Sequence, residues 1–247
     1  MNNVNELRCY HRHTIDSHPA CFRKGLIKYD FRDDREFERM TGIPWYDSLN
    51  EDGSLAYPIG FFDLETDNLK PDYGTLLTWA IKERGGGIIS SVIVRDDLFS
   101  GRGDKRLVEE FLEAIKKFRI LVGYYSTGFD FPFIRAKALH YGLDFPGHTL
   151  QQRYDGKFFA RPEIIHWDLY YIVRGKLRLS RNSLWNATRY LGIEGKTPIS
   201  GDIWGRAKYG DPEAVAEVLK HNIADVEITE RLWEKLLPYK VWTRKGA

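Results

Sequence analysis

The sequence predicts an α/β fold, a mixed β-sheet with flanking helices, preceded by a small N-terminal appendage. Three observations predict it. The segment YPIGFFDLET (57–66) is an apolar, aromatic-rich strand, and two further strand segments follow it across a glycine-rich turn. From residue 104 onward, amphipathic helical periods alternate with short apolar runs. The first 54 residues, by contrast, hold both cysteines and three histidines and lack a sustained apolar period.

The appendage is assigned to residues 1–54 and closes on NEDGS (50–54), a turn-forming composition. The main domain is assigned to 55–240 and a tail to 241–247. TLLTWAIKE (75–83), GGG (85–87) and IISSVIV (88–94) read as an antiparallel meander, because the glycines permit a tight reversal. Residues 104–118 place Leu107, Phe111, Leu112 and Ile115 on one face of a helix. ILVGYY (120–125) is a short buried strand. The next helix carries Pro132 in its first turn, where the missing N–H costs nothing. EIIHWDLYY (163–171) is a fifth strand passing into a helical turn at Asp168, and RGKLRLSRN (174–182) is basic and turn-like. SLWNATRYLGI (183–193) is helical, and GDIWGRAKYGD (201–211) is a helix or a loop. Residues 212–237 form a long amphipathic helix with Val215, Leu219, Ile223, Val226 and Trp233 at helical spacing.

Composition narrows the function classes. With 43% hydrophobic residues in 247, the chain can bury a sizeable core, and 14% aromatics suit core filling or base stacking. Lys and Arg number 37 against 35 Asp and Glu, so no global basic field exists, and any nucleic acid must be held by a local patch. Neither a leader peptide nor a bilayer-length apolar run is visible, so the expected compartment is the cytoplasm and no membrane partner is expected. Two cysteines are too few for a secreted disulfide framework.

Asp63 and Glu65 end an apolar strand, and strand alternation sets both carboxylates on one face. Buried side by side they would repel, and each would lose hydration at a cost of several kcal/mol. A divalent cation removes that cost, since carboxylate oxygens are the hard ligands that Mg and Mn prefer. The alternative is an exposed strand end with both acids in water. Asp130 stands at a helix entry, where by itself it reads as an N-cap. His221 and Asp225 share a helix face, either as a surface ion pair or as a metal ligand beside a proton acceptor.

In this order and at these separations, FDLET (62–66), YYSTGFDFPFIR (124–135) and HNIADVEI (221–228) resemble the three exonuclease motifs of the DEDD (DnaQ-like) 3'-5' exonuclease superfamily. The similarity is greatest to predicted RNase H-like exonucleases and more distant to the proofreading domains of family B DNA polymerases. It covers residues 57–237, and LSRNSLWNATRYLGIEGKTP (179–198) resembles the helix and turn before the third motif. The resemblance implies an RNase H-like mixed five-stranded sheet with flanking helices, Asp63 and Glu65 lying on its first strand. It also implies two Mg or Mn ions about 3.5–4 Å apart. Asp63, Glu65, Asp130 and Asp225 would hold them, Asp63 bridging both, while His221 orients or deprotonates the attacking water. One position departs from the family. A histidine base there stands five residues before the last Asp and a tyrosine four, whereas His221 stands four before Asp225.

Tyr124, Tyr125 and Phe129 flank the second motif as stacking faces or, for Tyr124 and Phe129, as core. Arg174, Lys176, Arg178 and Arg181 form the densest basic segment of the main domain, a phosphate contact or a solvated loop. Thr66, Tyr125, Arg178 and Arg181 are the expected substrate contacts. His166 and Asp168 are candidates to support the site, with Asp168 equally suited to cap a helix. In the appendage, Cys9, His11, His13, His18 and Cys21 fall within thirteen residues, as C-x-H and, after six residues, H-x-x-C. Four of these suit a structural zinc: Cys9, His11, His18 and Cys21, with His13 as an alternative ligand. Chance clustering around two reduced cysteines is the other reading.

The sequence therefore points to a metal-dependent exonuclease acting on the 3' end of single-stranded or frayed DNA, or RNA, by a two-metal-ion mechanism in repair or replication. No activated Ser or Cys nucleophile is evident. The expected protein is a monomer whose partners are a single-stranded 3' end and a polymerase or other replication component. An RNase or structure-specific endonuclease on the same scaffold is one rival, and a nucleic-acid-binding accessory subunit is another. Retention of all four acids argues against the last.

Overall fold

The computed structural model describes residues 8–28, 34–152, 158–195, 198–239 and 242 of a chain that divides into two compact units, Met1–Pro58 and Ile59–Ala247. Apart from Trp242, the tail 241–247 lies outside the described residues.

In the first unit, strand β1 (Arg8–Cys9) pairs antiparallel with β2 (Ile27–Lys28); helix α1 (Pro19–Arg23) lies between them and α2 (Asp34–Thr41) follows. Phe22, Ile27, Phe37, Trp45, Tyr46 and Tyr57 are buried, and the Trp45 ring meets Tyr46 and Tyr57 edge to face at 5.7 and 5.0 Å. The unit thus has an apolar centre of its own. Its strands and α-helices are two to eight residues long, too short for a hydrophobic period to show in the sequence.

The second unit runs β3 (Ile59–Thr66), β4 (Leu76–Glu83), β5 (Ile88–Val92), α3 (Arg95–Phe99), α4 (Lys105–Ile115), β6 (Ile120–Gly123) and α5 (Asp130–Tyr141). It continues through β7 (His148–Gln152), β8 (Phe158–Pro162), β9 (Ile165–Asp168), α6 (Leu169–Ile172), α7 (Leu184–Tyr190), α8 (Gly201–Ala207) and α9 (Pro212–Leu236). The sheet order is β5-β4-β3-β6-β9. Strand β4 is antiparallel to β3 and β5, whereas β6 is parallel to β3 and to β9. This is the mixed five-stranded sheet with flanking helices expected from the sequence. Two local features differ from the sequence reading. Strands β7 and β8 form a separate antiparallel pair, and the basic segment opens with a π-helical stretch, Val173–Leu177.

Alternation divides β3 between two layers. Phe61 and Asp63 face α9: the Phe61 ring lies 5.5 Å from Trp233, and Asp63 is hydrogen-bonded to Asn222. Phe62, on the opposite face, meets Phe111 of α4 and Phe131 of α5 at 6.0 and 5.0 Å. Helix α9 starts cleanly because the Asp211 carboxylate accepts from the backbone N–H groups of Glu213 and Ala214, with Pro212 at the first helical position. Its buried face carries Val215, Val218, Val226, Leu232 and Trp233, while Leu219 and Ile223 are half-buried. Each fully buried aliphatic side chain on that face stabilises the layer by about 1.5–3 kcal/mol.

Candidate active site

The site lies at the C-terminal end of β3, where the sheet opens. The β3–β6 ladder stops at Phe61 and Val122, but β3 runs on to Thr66. Beyond that point the Leu64 N–H is bound by a side chain: Asp130 Oδ1 accepts it at 3.1 Å. Asp130 is the first residue of α5, whose N-cap is Phe129, so its carboxylate reaches across to β3 instead of capping its own helix. Burial, with the added repulsion of Asp168, pushes its pKa up to about 7 against the opposing pull of the backbone N–H groups. The crevice beyond the carboxyl ends of parallel strands is the usual place for a ligand in an open α/β sheet.

Helix α9 supplies the other side. The Asn222 amide donates to Asp63 Oδ2 at 2.7 Å, and the Thr78 hydroxyl of β4 donates to Asn222 Oδ1 at 3.3 Å. Both Thr78 and Asn222 are fully buried, so a polar relay crosses an apolar layer to orient one carboxylate. One residue earlier, His221 Nε2 lies 3.7 Å from Glu65 Oε1 and 4.0 Å from Asp225 Oδ2. Glu65, His221 and Asp225 each present a ligand atom within 4.8 Å of the other two. The structure therefore gathers these three, with Asp63 on the same strand face and Asp130 against the strand backbone.

The donor chemistry fits a hard divalent cation: the carboxylate oxygens of Glu65 and Asp225 suit Mg or Mn, with the His221 imidazole beside them. Asp130 fits as well. A carboxyl held toward its protonated form by burial returns to the ionised form beside a cation.

The loop 124–129 delivers Asp130, and β9 pins it. Asp168 Oδ1 accepts from the backbone N–H groups of Tyr125 at 2.8 Å and Tyr170 at 3.0 Å, while Oδ2 accepts from Thr127 at 2.9 Å. Asp168 is thus the cap of α6 and the clamp of the motif loop at once. Ser126 Oγ lies 2.8 Å from His166 Nε2, and the His166 ring meets Phe131 and Phe62 edge to face at 4.6 and 6.2 Å. Burial pushes the His166 pKa down to about 3, which keeps the ring neutral.

The clamp holds Tyr125 in a left-handed conformation, φ +61°, with 45% of the residue exposed and its ring 4.7 Å from that of Tyr170. A β-carbon at position 128 would lie 2.5 Å from the Tyr125 ring, so Gly128 is what lets the ring fold over the loop. Tyr124 is half-buried, and its hydroxyl donates to the Asn182 carbonyl at 2.5 Å, tying the basic segment to the motif loop. Phe129 packs against Phe133 and the core. Arg178 and Arg181 are exposed, and the Thr66 hydroxyl donates to the Asn68 carbonyl at 2.9 Å. Motif reading leaves the role of Asn222 open, and the structure gives its amide to Asp63. The position of Asn222 four residues from both Val218 and Val226 puts an amide on the apolar face, a signal present in the sequence.

In the first unit, Cys9, His11, His18 and Cys21 also present ligand atoms within 4.8 Å of one another, a set that leaves out His13.

Known proteins share this fold. The sequence profile of the RNase_H superfamily matches residues 60–237. A DNA polymerase of Methanocaldococcus jannaschii is 24% identical over 199 residues, which cover 76% of this chain and 12% of the polymerase. The family B DNA polymerase from the hyperthermophilic archaeon Pyrobaculum calidifontis superposes with a TM-score of 0.58 at 24% identity, covering 75% of this chain and 25% of that one. The chain spans a minor part of either polymerase, and the superposition bears on the fold alone. No helix among the described residues is long and apolar enough to cross a membrane.

Proposed function

The chain belongs to the RNase H superfamily, and from that premise we propose that it is a divalent-metal-dependent 3'-5' exonuclease of the DEDD type. It removes nucleotides from the 3' end of single-stranded or frayed nucleic acid. The observation that carries the reading is the convergence of Glu65, His221 and Asp225 within 4.8 Å at the carboxyl end of β3. Asp63, Glu65, Asp130 and Asp225 hold two Mg or Mn ions, which when bound supply Lewis acidity toward the phosphodiester and an activated water. The carboxylates orient the site, with Asn222 holding Asp63. His221 Nε2, between Glu65 and Asp225, accepts a proton from water.

Tyr125 offers an exposed ring to a terminal base, Arg178 and Arg181 meet backbone phosphates, and Thr66 lines the strand end. The relative named a DNA polymerase supports DNA over RNA, and with it work beside a polymerase in replication or repair. The protein acts as a cytoplasmic monomer in this reading.

The test incubates the full chain and Mn with end-labelled single-stranded DNA, frayed duplex DNA and RNA. Release of mononucleotides from the 3' end, lost in Asp225→Ala, is the expected result. Internal cuts would replace the exonuclease with an endonuclease, and no cleavage of any substrate would overturn the reading.

A further inference from the structure

We propose that the first unit holds a closed structural zinc site made by Cys9 Sγ, His11 Nδ1, His18 Nδ1 and Cys21 Sγ. The four sulfur-to-nitrogen distances carry it. Cys9 Sγ lies 3.9 Å from His11 Nδ1 and 3.6 Å from His18 Nδ1. Cys21 Sγ lies 3.4 Å from His11 Nδ1 and 3.5 Å from His18 Nδ1. A tetrahedral zinc with bonds of about 2.3 Å to sulfur and about 2.0–2.1 Å to nitrogen sets each sulfur–nitrogen edge at about 3.5 Å. The four atoms already stand near the corners of that tetrahedron. Two thiol protons satisfy at most two of the four contacts, whereas one cation satisfies all four.

The local backbone explains why the ligands converge. After β1 the chain reverses tightly: the Arg12 N–H donates to the Cys9 carbonyl at 2.8 Å and the Cys9 N–H to the His13 carbonyl at 3.0 Å. Arg12 takes φ +67° in this turn, and its carbonyl accepts from the Arg8 guanidinium. The turn brings His11 back beside Cys9. His18 is the N-cap of α1 and Cys21 stands three residues later, so one helical turn sets both on the same side. Both cysteines are buried, next in the chain or across the strand pair to Phe22 and Ile27, while His11 is exposed. The sulfurs thereby join the apolar centre and the imidazoles close the site from outside.

Thiolate and imidazole donors select zinc over Mg or Mn, and two thiolates neutralise its charge. Four protein ligands leave no open position, so the ion stabilises and does not catalyse. A unit of this size, with short elements and a small apolar centre, is of the kind that gains folding energy from a metal. His13 Nδ1 is 3.3 Å from His18 Nδ1 but stands outside the mutually close set, so the proposal leaves it out of the four ligands.

The test is metal analysis of the untagged full chain, refolded with zinc and freed of excess metal. One zinc per chain is expected in the parent, in His13→Ala and in Asp63→Asn, falling at least about fivefold in Cys21→Ser. Because Cys21→Ser can misfold, the parent is also loaded with cobalt, which should give the intense visible bands of a tetrahedral thiolate site. Less than about half an equivalent of zinc in the refolded parent would overturn the proposal. So would a weak octahedral cobalt spectrum, or loss of zinc in His13→Ala.

Discussion

The two clusters that suit a cation differ in what holds them in place. Glu65, His221 and Asp225 stand on an eight-residue central strand and a 25-residue helix, whose contact is sealed by Phe61 and Trp233. Cys9, His11, His18 and Cys21 stand on a two-residue strand, a turn and a five-residue helix. In the second unit the fold fixes the ligands, and a metal there is free to serve chemistry. In the first unit, on the zinc proposal, a metal held by these ligands would fix the short elements around the apolar centre. On that proposal the same kind of convergence has opposite causes in the two units of one chain.

The largest effect expected from this contrast is on folding. Stripping zinc with a strong chelator should expose Met1–Pro58 to limited proteolysis while Ile59–Ala247 keeps its resistance. Equal sensitivity of both units, or of neither, would erase the contrast.

A second effect belongs to the second unit alone and depends on pH. His166 folds neutral with a pKa near 3, whereas an unfolded histidine binds a proton below about 6.5. The unfolded chain therefore binds more protons in that window, and stability is lost as pH falls, by about 1.4 kcal/mol per unit. In the metal-free protein Asp130 acts in the opposite sense, because its raised pKa gives stability at low pH that is lost as pH rises through about 7. The His166 contribution is thus read as the difference between parent and His166→Gln in denaturant unfolding from pH 7 to 4. A difference that does not change with pH would show that the ring is not held neutral.

Third, Asn222→Ala should weaken Mn binding or activity by about 10–100-fold, as loss of a ligand-orienting group does elsewhere. The Thr78 hydroxyl would lose its partner as well, costing about 1–3 kcal/mol of stability. Unchanged Mn affinity and unchanged activity in the folded variant would reduce Asn222 to core packing. The smallest effect is at the rim: Arg178→Ala and Arg181→Ala should each lower the salt dependence of single-strand binding by about one unit of slope, measured by fluorescence anisotropy. No change in slope would return the segment to a solvated loop.

Much of this was legible in the sequence for local reasons. Alternation within FFDLET puts Asp63 and Glu65 on one face, and the four-residue step from His221 to Asp225 puts those two on another. The sheet order follows from a meander and then parallel strands joined through helices. What escaped reading depends on distant partners. Asn222 is read by its bond to Asp63, 159 residues away; Asp168 was legible as a support of the site or a helix cap, but not its hold on two N–H groups of the 124–129 loop more than 40 residues upstream. Asp130 looked like a cap because its local setting is a helix entry. Its actual partner is the β3 backbone, left open where β6 ends. The apolar centre of Met1–Pro58 escaped because its strands and α-helices, two to eight residues long, are shorter than the window of about 11–18 residues over which a hydrophobic period is read.

The most direct test of the central claim is a Mn titration of the zinc-loaded chain, followed by calorimetry or by the electron paramagnetic resonance of free Mn. The account predicts two Mn per chain in the parent and a loss of both, or a large fall in affinity, in Asp63→Asn. Equal Mn binding by parent and variant, or none by the parent, would contradict it.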